Sequence, residues 1–358
     1  MPGVALRELC GGLVVGGFAG TSLPGSFARR LAAGELGGAI LFARNLTPDV
    51  EATAELCDSI GRASGGAAPP IVSVDQEGGR VARLKAPVLS LPPAAVLGAR
   101  CDEAELELLG AALGVQLAAL GFTMDYAPVL DVHTNPKNPI IGDRAFSSDP
   151  DRAARAALAF ARGLERAGVS PCGKHYPGHG DTAKDSHLDL PSVDAGRERL
   201  EAVELLPFRR AAEAKLPALM SAHVVYPALD ATPATLSRRV ATDLLRRELG
   251  FGGVLFSDDL EMRAIADRFG PGDSAVLAVE AGCDALLVCS DEAAQGSAVE
   301  ALVHRAERDG AFRARCEEAS QRVVALRRRF PPRPLRGGAL RGALAPRSEA
   351  VAILARLA

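Results

Sequence analysis

One pattern repeats eight times along this chain and constrains the fold more than any other feature. A short apolar run ends in polar or glycine-bearing residues and is followed by ten or more residues of helical spacing. The runs are "LVVGGF" (13–18), "GAILFARN" (38–45), "PIVSVDQEG" (70–78), "FTMDYAPVLDV" (122–132), "PCGKHYPG" (171–178), "ALMSAHVVY" (218–226), "GVLFSDDL" (253–260) and "DALLVCSD" (284–291). Their near-continuous apolar character, rather than strict alternation, describes strands buried on both faces, as in a parallel sheet covered by helices. The intervening stretches at 102–120 and 149–168 are alanine-rich and amphipathic; Asp102 suits an N-cap and Gly168 a C-terminal stop. Eight such units predict an α/β fold, a single-domain (β/α)8 TIM-type barrel, in preference to an open doubly wound sheet. A chain of 358 residues accommodates it.

The barrel is expected over residues 1–330. Residues 331–358, rich in proline, glycine and arginine, break the pattern and read as a tail ending in a short helix from about Ser348. The first residues lack a basic region followed by an apolar core and cleavage site, and no stretch holds the ~20 apolar residues of a membrane span. Seven cysteines scattered singly, without a CxxC pair, predict reduced thiols in the core. The expected location is the cytoplasm, with no membrane partner. A net charge of −3 gives no basic surface for nucleic acid.

Ionisable residues gather where the apolar runs end: Asp75 and Glu77, Asp131 and His133, Lys174 and His175, His223, and Ser257, Asp258 and Asp259. In a closed parallel barrel those ends share one mouth, so residues distant in sequence converge there. Single residues of this kind commonly cap or brace a loop; five polar ends together predict an active site. Metal chemistry is not indicated, because no strand carries an HxH pair and no HExxH occurs. The glycine clusters lack the spacing and the Lys-Ser/Thr ending of a phosphate loop. No cofactor is expected.

Glycoside cleavage needs a carboxylate at the developing oxocarbenium carbon and an acid/base at the leaving oxygen. Asp258, just past a strongly apolar strand, is the nucleophile candidate, with Asp259 expected to cap the following helix. In "GKHYPGHGDTAKDSHLDLP" (173–191), Asp185 and His187 stand at i and i+2, on one face of an extended segment. An imidazole beside a carboxylate has a fixed tautomer and a raised pKa, which suits proton donation near neutrality. His179, in the same stretch, is expected to brace the loop rather than react.

With these residues the sequence resembles the glycoside hydrolase family 3 β-N-acetylglucosaminidases, of the single-domain cytoplasmic bacterial (NagZ) type. The likeness rests on "KHYPGHGDTAKDSH", "VDQEGGRVARL", "IIGDRAFSSDP", "MSAHVVYPALD" and "FSDDLEM", across roughly residues 10 to 270. It implies that Asp258 is the nucleophile, that His187 oriented by Asp185 is the acid/base, and that Asp75, Arg83, Arg144, Lys174 and His175 bind the terminal sugar. It also implies double displacement with retained configuration, and a small carbohydrate or muropeptide as substrate. Tyr176 stands where that family commonly has phenylalanine, Gln76 where histidine is frequent, and "NPKNPIIGDR" resembles the two-domain relatives. The second domain of many family β-glucosidases is not expected here.

Three other functions fit the same residues: a β-N-acetylglucosaminide phosphorylase, since a neutral imidazole repels phosphate less than a carboxylate does, a β-glucosidase, and a sugar-binding barrel without turnover. The assembly state expected is a monomer or weak homodimer.

Overall fold

The computed structural model describes residues 2–65, 68–182 and 190–357. Ten strands follow in chain order: β1 (Val14–Gly16), β2 (Gly38–Leu41), β3 (Ile71–Val74), β4 (Gln76–Gly78), β5 (Val81–Ala82), β6 (Met124–Asp125), β7 (Ser170–Tyr176), β8 (Ala218–Ser221), β9 (Val254–Asp259) and β10 (Ala285–Val288). Eight of them close a parallel barrel in the order β1-β2-β3-β6-β7-β8-β9-β10, with β10 returning to β1 through Val14 opposite Leu286. The remaining two, β4 and β5, form an antiparallel hairpin beyond the end of β3. All eight apolar runs are barrel strands, and helices alternate with them, which is the TIM-type architecture expected.

The fourth run differs in one instructive respect. Of "FTMDYAPVLDV", Met124–Asp125 alone joins the ladder, because Pro128 has no amide to donate. The chain nevertheless continues alongside β7: Val129 bridges to Lys174, and the Leu130 amide donates to the Lys174 carbonyl at 2.6 Å. That contact carries Asp131 to the level of His175.

The helices stop and start where their caps allow. Glu103–Leu120 begins at Asp102, whose carboxylate accepts from the Glu105 amide (2.9 Å), while the Glu105 side chain accepts from the Asp102 amide (3.1 Å). It ends at Gly121, whose φ of 98° is open to glycine at little cost. Pro150–Arg166 starts at Asp149 with proline in the first helical position. These two helices pack through glycine: a Cβ on Gly163 would sit 2.1 Å from the Glu107 carbonyl oxygen. A single Gly163→Leu change would force them apart and expose leucines such as Leu113 and Leu164, each contributing about 1.5–3 kcal/mol by burial.

The tail is built onto the barrel. Ser348–Leu357 is helical as expected, but Gly337–Leu344, earlier in the same tail, is a helix too. Leu340 and Leu344, at i and i+4, bury against the barrel and supply the driving force that the glycine-rich composition concealed. Further ties run from the Leu335 amide to the Ala119 carbonyl (2.7 Å) and from Gln116 to the Leu344 carbonyl (3.0 Å).

The seven cysteines are free thiols, six of them buried. Among the described residues no helix is long and apolar enough to cross a membrane.

Candidate active site

Strands β3, β7 and β9 deliver their polar end residues to the same mouth. Asp75 leaves β3, and the β4–β5 hairpin then folds Glu77 and Arg83 over the opening. Gln76 holds that hairpin in place. Its side-chain carbonyl accepts from the Arg83 and Leu84 amides at 2.8 and 2.9 Å, and its backbone amide donates to Asp125 Oδ1 at 2.9 Å.

A cavity of about 240 Å³ occupies the mouth, with room for one sugar ring rather than a chain. Asp75, Arg83, Arg144, Lys174, His175 and Asp258, six of the eight site residues expected from the sequence, line it together. Asp185 and His187 lie outside the described residues. A larger cavity of about 710 Å³ lies elsewhere, lined by Arg246, Arg315 and Arg322. Those arginines are committed to the buried Asp284, and none of the strand-end residues reaches that cavity.

The cavity wall is a network of matched charges. Lys174 Nζ lies 2.7 Å from both Asp75 Oδ1 and Glu77 Oε1, and Arg144 grips Glu77 with two parallel hydrogen bonds of 2.9 and 2.8 Å. Burial opposes the charge on Glu77, but the Lys174 ammonium and Arg144 guanidinium outweigh it and hold this carboxyl well below the ordinary range. Lys174 is correspondingly raised: burial works against its charge, and Asp75 and Glu77 overcome it. Arg83 Nη2 approaches Asp75 more loosely, at 3.7 Å.

A second pair orients the imidazole. His175 Nδ1 lies 2.7 Å from Asp131 Oδ2, and Asp131 Oδ1 accepts from the backbone amides of His175 (3.2 Å) and His179 (2.6 Å). Asp131 is inaccessible to solvent; burial penalises its charge, yet the facing imidazole and the amides keep its pKa lowered. The geometry assigns the proton to Nδ1 and turns Nε2 toward Arg144, 3.5 Å away.

The adjacent carboxylates Asp258 and Asp259 are driven in opposite directions. Burial disfavours ionisation of Asp258, but His223, His175, the Asp259 amide and Lys174 more than offset it, so its pKa is lowered and it is ionised at neutral pH. Burial dominates at Asp259 and pushes it up to about 7. Asp259 does not cap the helix that follows, as the sequence had predicted. That helix, Arg263–Ala266, starts after Met262, and Asp259 instead accepts from the amides of Glu261 (3.1 Å) and Cys289 (3.3 Å), tying the ends of β9 and β10 together.

Four further groups belong to the site beyond those assigned from sequence. Glu77, Asp131 and His223 all stand at strand ends, so the signal existed, but the partner of each is on another strand. His223 is fully buried, with Nδ1 2.9 Å from Thr235 Oγ1 and Nε2 2.9 Å from the Asp259 carbonyl. Asp125 had no such signal: it lies inside β6 rather than past a strand end, inaccessible to solvent, with Oδ2 unpaired, and burial pushes its carboxyl to about 8. His179 contacts Thr182 through Nδ1 at 2.8 Å, and its own carbonyl accepts from Asn138 at 2.8 Å, an arrangement that anchors the entry to the following loop. Burial lowers its imidazole to about 4. Among the described residues no group of three or more His, Cys, Asp or Glu side chains is arranged to hold a metal ion.

A closed parallel barrel whose mouth presents an ionised carboxylate in a sugar-sized, hydrogen-bonding cavity is the architecture of a carbohydrate-acting barrel enzyme. Comparison with known proteins narrows this. Residues 23–326 match the model of the glycosyl hydrolase family 3 N-terminal domain. The chain belongs to glycosyl hydrolase family 3, and it is a glycoside hydrolase. It is 42% identical over 272 residues to a β-hexosaminidase of Pseudomonas aeruginosa, covering 75% of this chain and 79% of that one. A solved family 3 β-N-acetylglucosaminidase from Paenibacillus sp. superposes with a TM-score of 0.91 at 38% identity, over 98% of this chain and 68% of that one. NagZ from Neisseria gonorrhoeae, solved in complex with N-trifluoroacetyl-D-glucosamine, superposes with a TM-score of 0.74 at 32% identity, over 87% of this chain and 98% of that one.

Proposed function

We propose that the protein is a retaining β-N-acetylglucosaminidase that removes terminal, non-reducing β-linked N-acetylglucosamine, with muropeptides as its substrate class. The observation that carries this reading is the ionised Asp258 carboxylate at a cavity sized for one sugar and walled by Asp75, Arg83, Arg144, Lys174 and His175. The names of the relatives, β-hexosaminidase and β-N-acetylglucosaminidase, support the same choice of sugar.

In the proposed reaction Asp75 accepts hydrogen bonds from adjacent sugar hydroxyls, while Lys174, Arg83 and Arg144 donate to hydroxyl oxygens and the acetamido carbonyl. Asp258 attacks the anomeric carbon. The glycosidic bond breaks as the leaving oxygen takes a proton from His187, oriented by Asp185, and a glycosyl-aspartate forms. His187 then takes a proton from water, which attacks the same carbon and releases Asp258; two inversions retain the configuration. No cofactor enters this scheme. The protein is expected to act in the cytoplasm, as a monomer or weak homodimer, without nucleic-acid or membrane partners.

The test is turnover of aryl β-N-acetylglucosaminide, β-glucoside and β-N-acetylgalactosaminide, each with and without phosphate. Preference for the N-acetylglucosaminide and release of the free β-sugar support the reading. Phosphate-stimulated formation of a sugar 1-phosphate would instead establish the phosphorylase, and a preference for glucoside the β-glucosidase.

A further inference from the structure

Arg44 stands against two residues that line the cavity, Phe42 and Cys289, with its charge held in one place. It lies in the single turn Ala43–Asn45 just beyond β2. Its Nε donates to the Phe18 carbonyl at 3.1 Å and its Nη2 to the Cys289 carbonyl at 2.5 Å, and its guanidinium carbon lies 4.5 Å from the centre of the Phe42 ring. Phe42 and Cys289 both line the cavity. Asn45 secures the same loop, donating to the carbonyls of Phe18 (2.9 Å) and Gly20 (2.8 Å).

This cation differs from those deeper in the mouth. Arg144 and Lys174 are matched with carboxylates, and Arg83 approaches Asp75. Arg44 is exposed and, among the described residues, pairs with no carboxylate. Glu261, at the ends of β9 and β10, is already occupied by the amides of Ser290 (2.6 Å) and Asp291 (3.0 Å). A purely structural role, tying the loops after β1, β2 and β10, accounts for Nε and Nη2 but leaves Nη1 uncommitted among the described residues. A guanidinium fixed on an aromatic face with a free edge suits a carboxylate, since its orientation is settled before the ligand arrives.

The cavity holds one sugar, so the leaving group must extend outward past the rim. We propose that Arg44, laid over Phe42, forms a leaving-group subsite that reads a carboxylate on the aglycone. This rests on the β-N-acetylglucosaminidase reading above and adds a residue that selects among its substrates.

The test compares kcat/KM for a β-N-acetylglucosaminide whose leaving-group sugar carries a carboxylate with kcat/KM for its methyl ester. Their ratio within one protein sample is independent of how much of that sample is folded. In the wild-type protein the acid is expected to be favoured on the order of fivefold to tenfold at low salt, with the preference shrinking as salt rises. In Arg44→Gln the ratio falls to near unity; Arg44→Lys, which keeps the charge without the planar fork, restores part of it. A wild-type ratio near unity, or one unchanged in Arg44→Gln, overturns the subsite while leaving the glycosidase intact. Failure of the wild-type protein to cleave any β-N-acetylglucosaminide, including the aryl compound, overturns the parent reading and the subsite together.

Discussion

His175 Nδ1 lies 2.7 Å from Asp131 Oδ2, and the carboxylate that holds it has no access to solvent. The pair exists because two segments run side by side at the barrel mouth: Leu130 hydrogen-bonds to Lys174, and the next residue of each meets across the gap. The contact decides which imidazole nitrogen faces the cavity.

Replacing Asp131 with asparagine should therefore disturb sugar binding at a distance. An asparagine amide would set a donor against Nδ1–H or surrender the contacts to the His175 and His179 amides. The expected result is a fall in kcat/KM of about 10- to 100-fold, carried mainly by KM. A folded Asp131→Asn protein with unchanged KM would show that His175 needs no such positioning.

Glu77 serves stability as well as the site. Glu77→Gln leaves Lys174 and Arg144 with one fewer anion in a buried setting, which should cost about 3–5 kcal/mol at neutral pH, read from urea unfolding. Because the native Glu77 carboxyl is held below its ordinary value, its contribution is present above about pH 4 and is lost as acid protonates it. The gap between wild type and variant should close on acidification. A gap independent of pH would mean that packing, not charge, is responsible.

Asp125 should behave in the opposite sense. Its carboxyl keeps its proton to about pH 8 in the folded protein, whereas the unfolded chain releases it near pH 4. The folded state is thus penalised increasingly as pH rises between those values. Asp125→Asn removes the penalty, so its melting temperature relative to wild type should climb from pH 4 to pH 8 and then level off. A constant difference across that range would place the carboxyl's titration elsewhere.

For the chemistry, Asp258→Ala should reduce kcat/KM at least about a thousandfold. If Asp258 is the nucleophile, azide should restore turnover in that variant by occupying the vacated space, with the α-glycosyl azide as product. Undiminished hydrolysis by Asp258→Ala would refute the assignment.

Removing His187 tests the proton donor. His187→Ala should slow glycosides with poor leaving groups far more than activated aryl glycosides, because activated leaving groups depart without a proton. Equal loss on both classes would argue against an acid role.

The strands were legible because burial on both faces writes a continuous apolar run, and the run survives whatever tertiary partners it finds. The mouth was legible for a related reason: a parallel barrel brings every strand's end to one side, so Asp75, Lys174 and Asp258 could be grouped before any coordinates. Other features carried no such mark. The glycine contact between Gly163 and the Glu107 carbonyl depends on how two helices cross, and the tail helix Gly337–Leu344 forms because Leu340 and Leu344 have a surface to cover. Asp259 was misread because a carboxylate before a helix is a common cap; the helix began later, and the Cys289 amide claimed it instead.

By itself the sequence determined the barrel, through local periodicity, and, through contiguous motifs and the family they resemble, the catalytic class and six of the residues at the mouth. It also singled out Asp185 and His187, whose spacing is local. The tertiary structure decided what those residues are worth to one another. That Glu77 joins Lys174 to Arg144, that Asp131 turns His175, and that Asp258 is ionised while Asp259 beside it is pushed up to about 7 all depend on distances between separate strands and on burial. Electrostatic energies depend on separation and on local dielectric, and neither is written in the order of the amino acids.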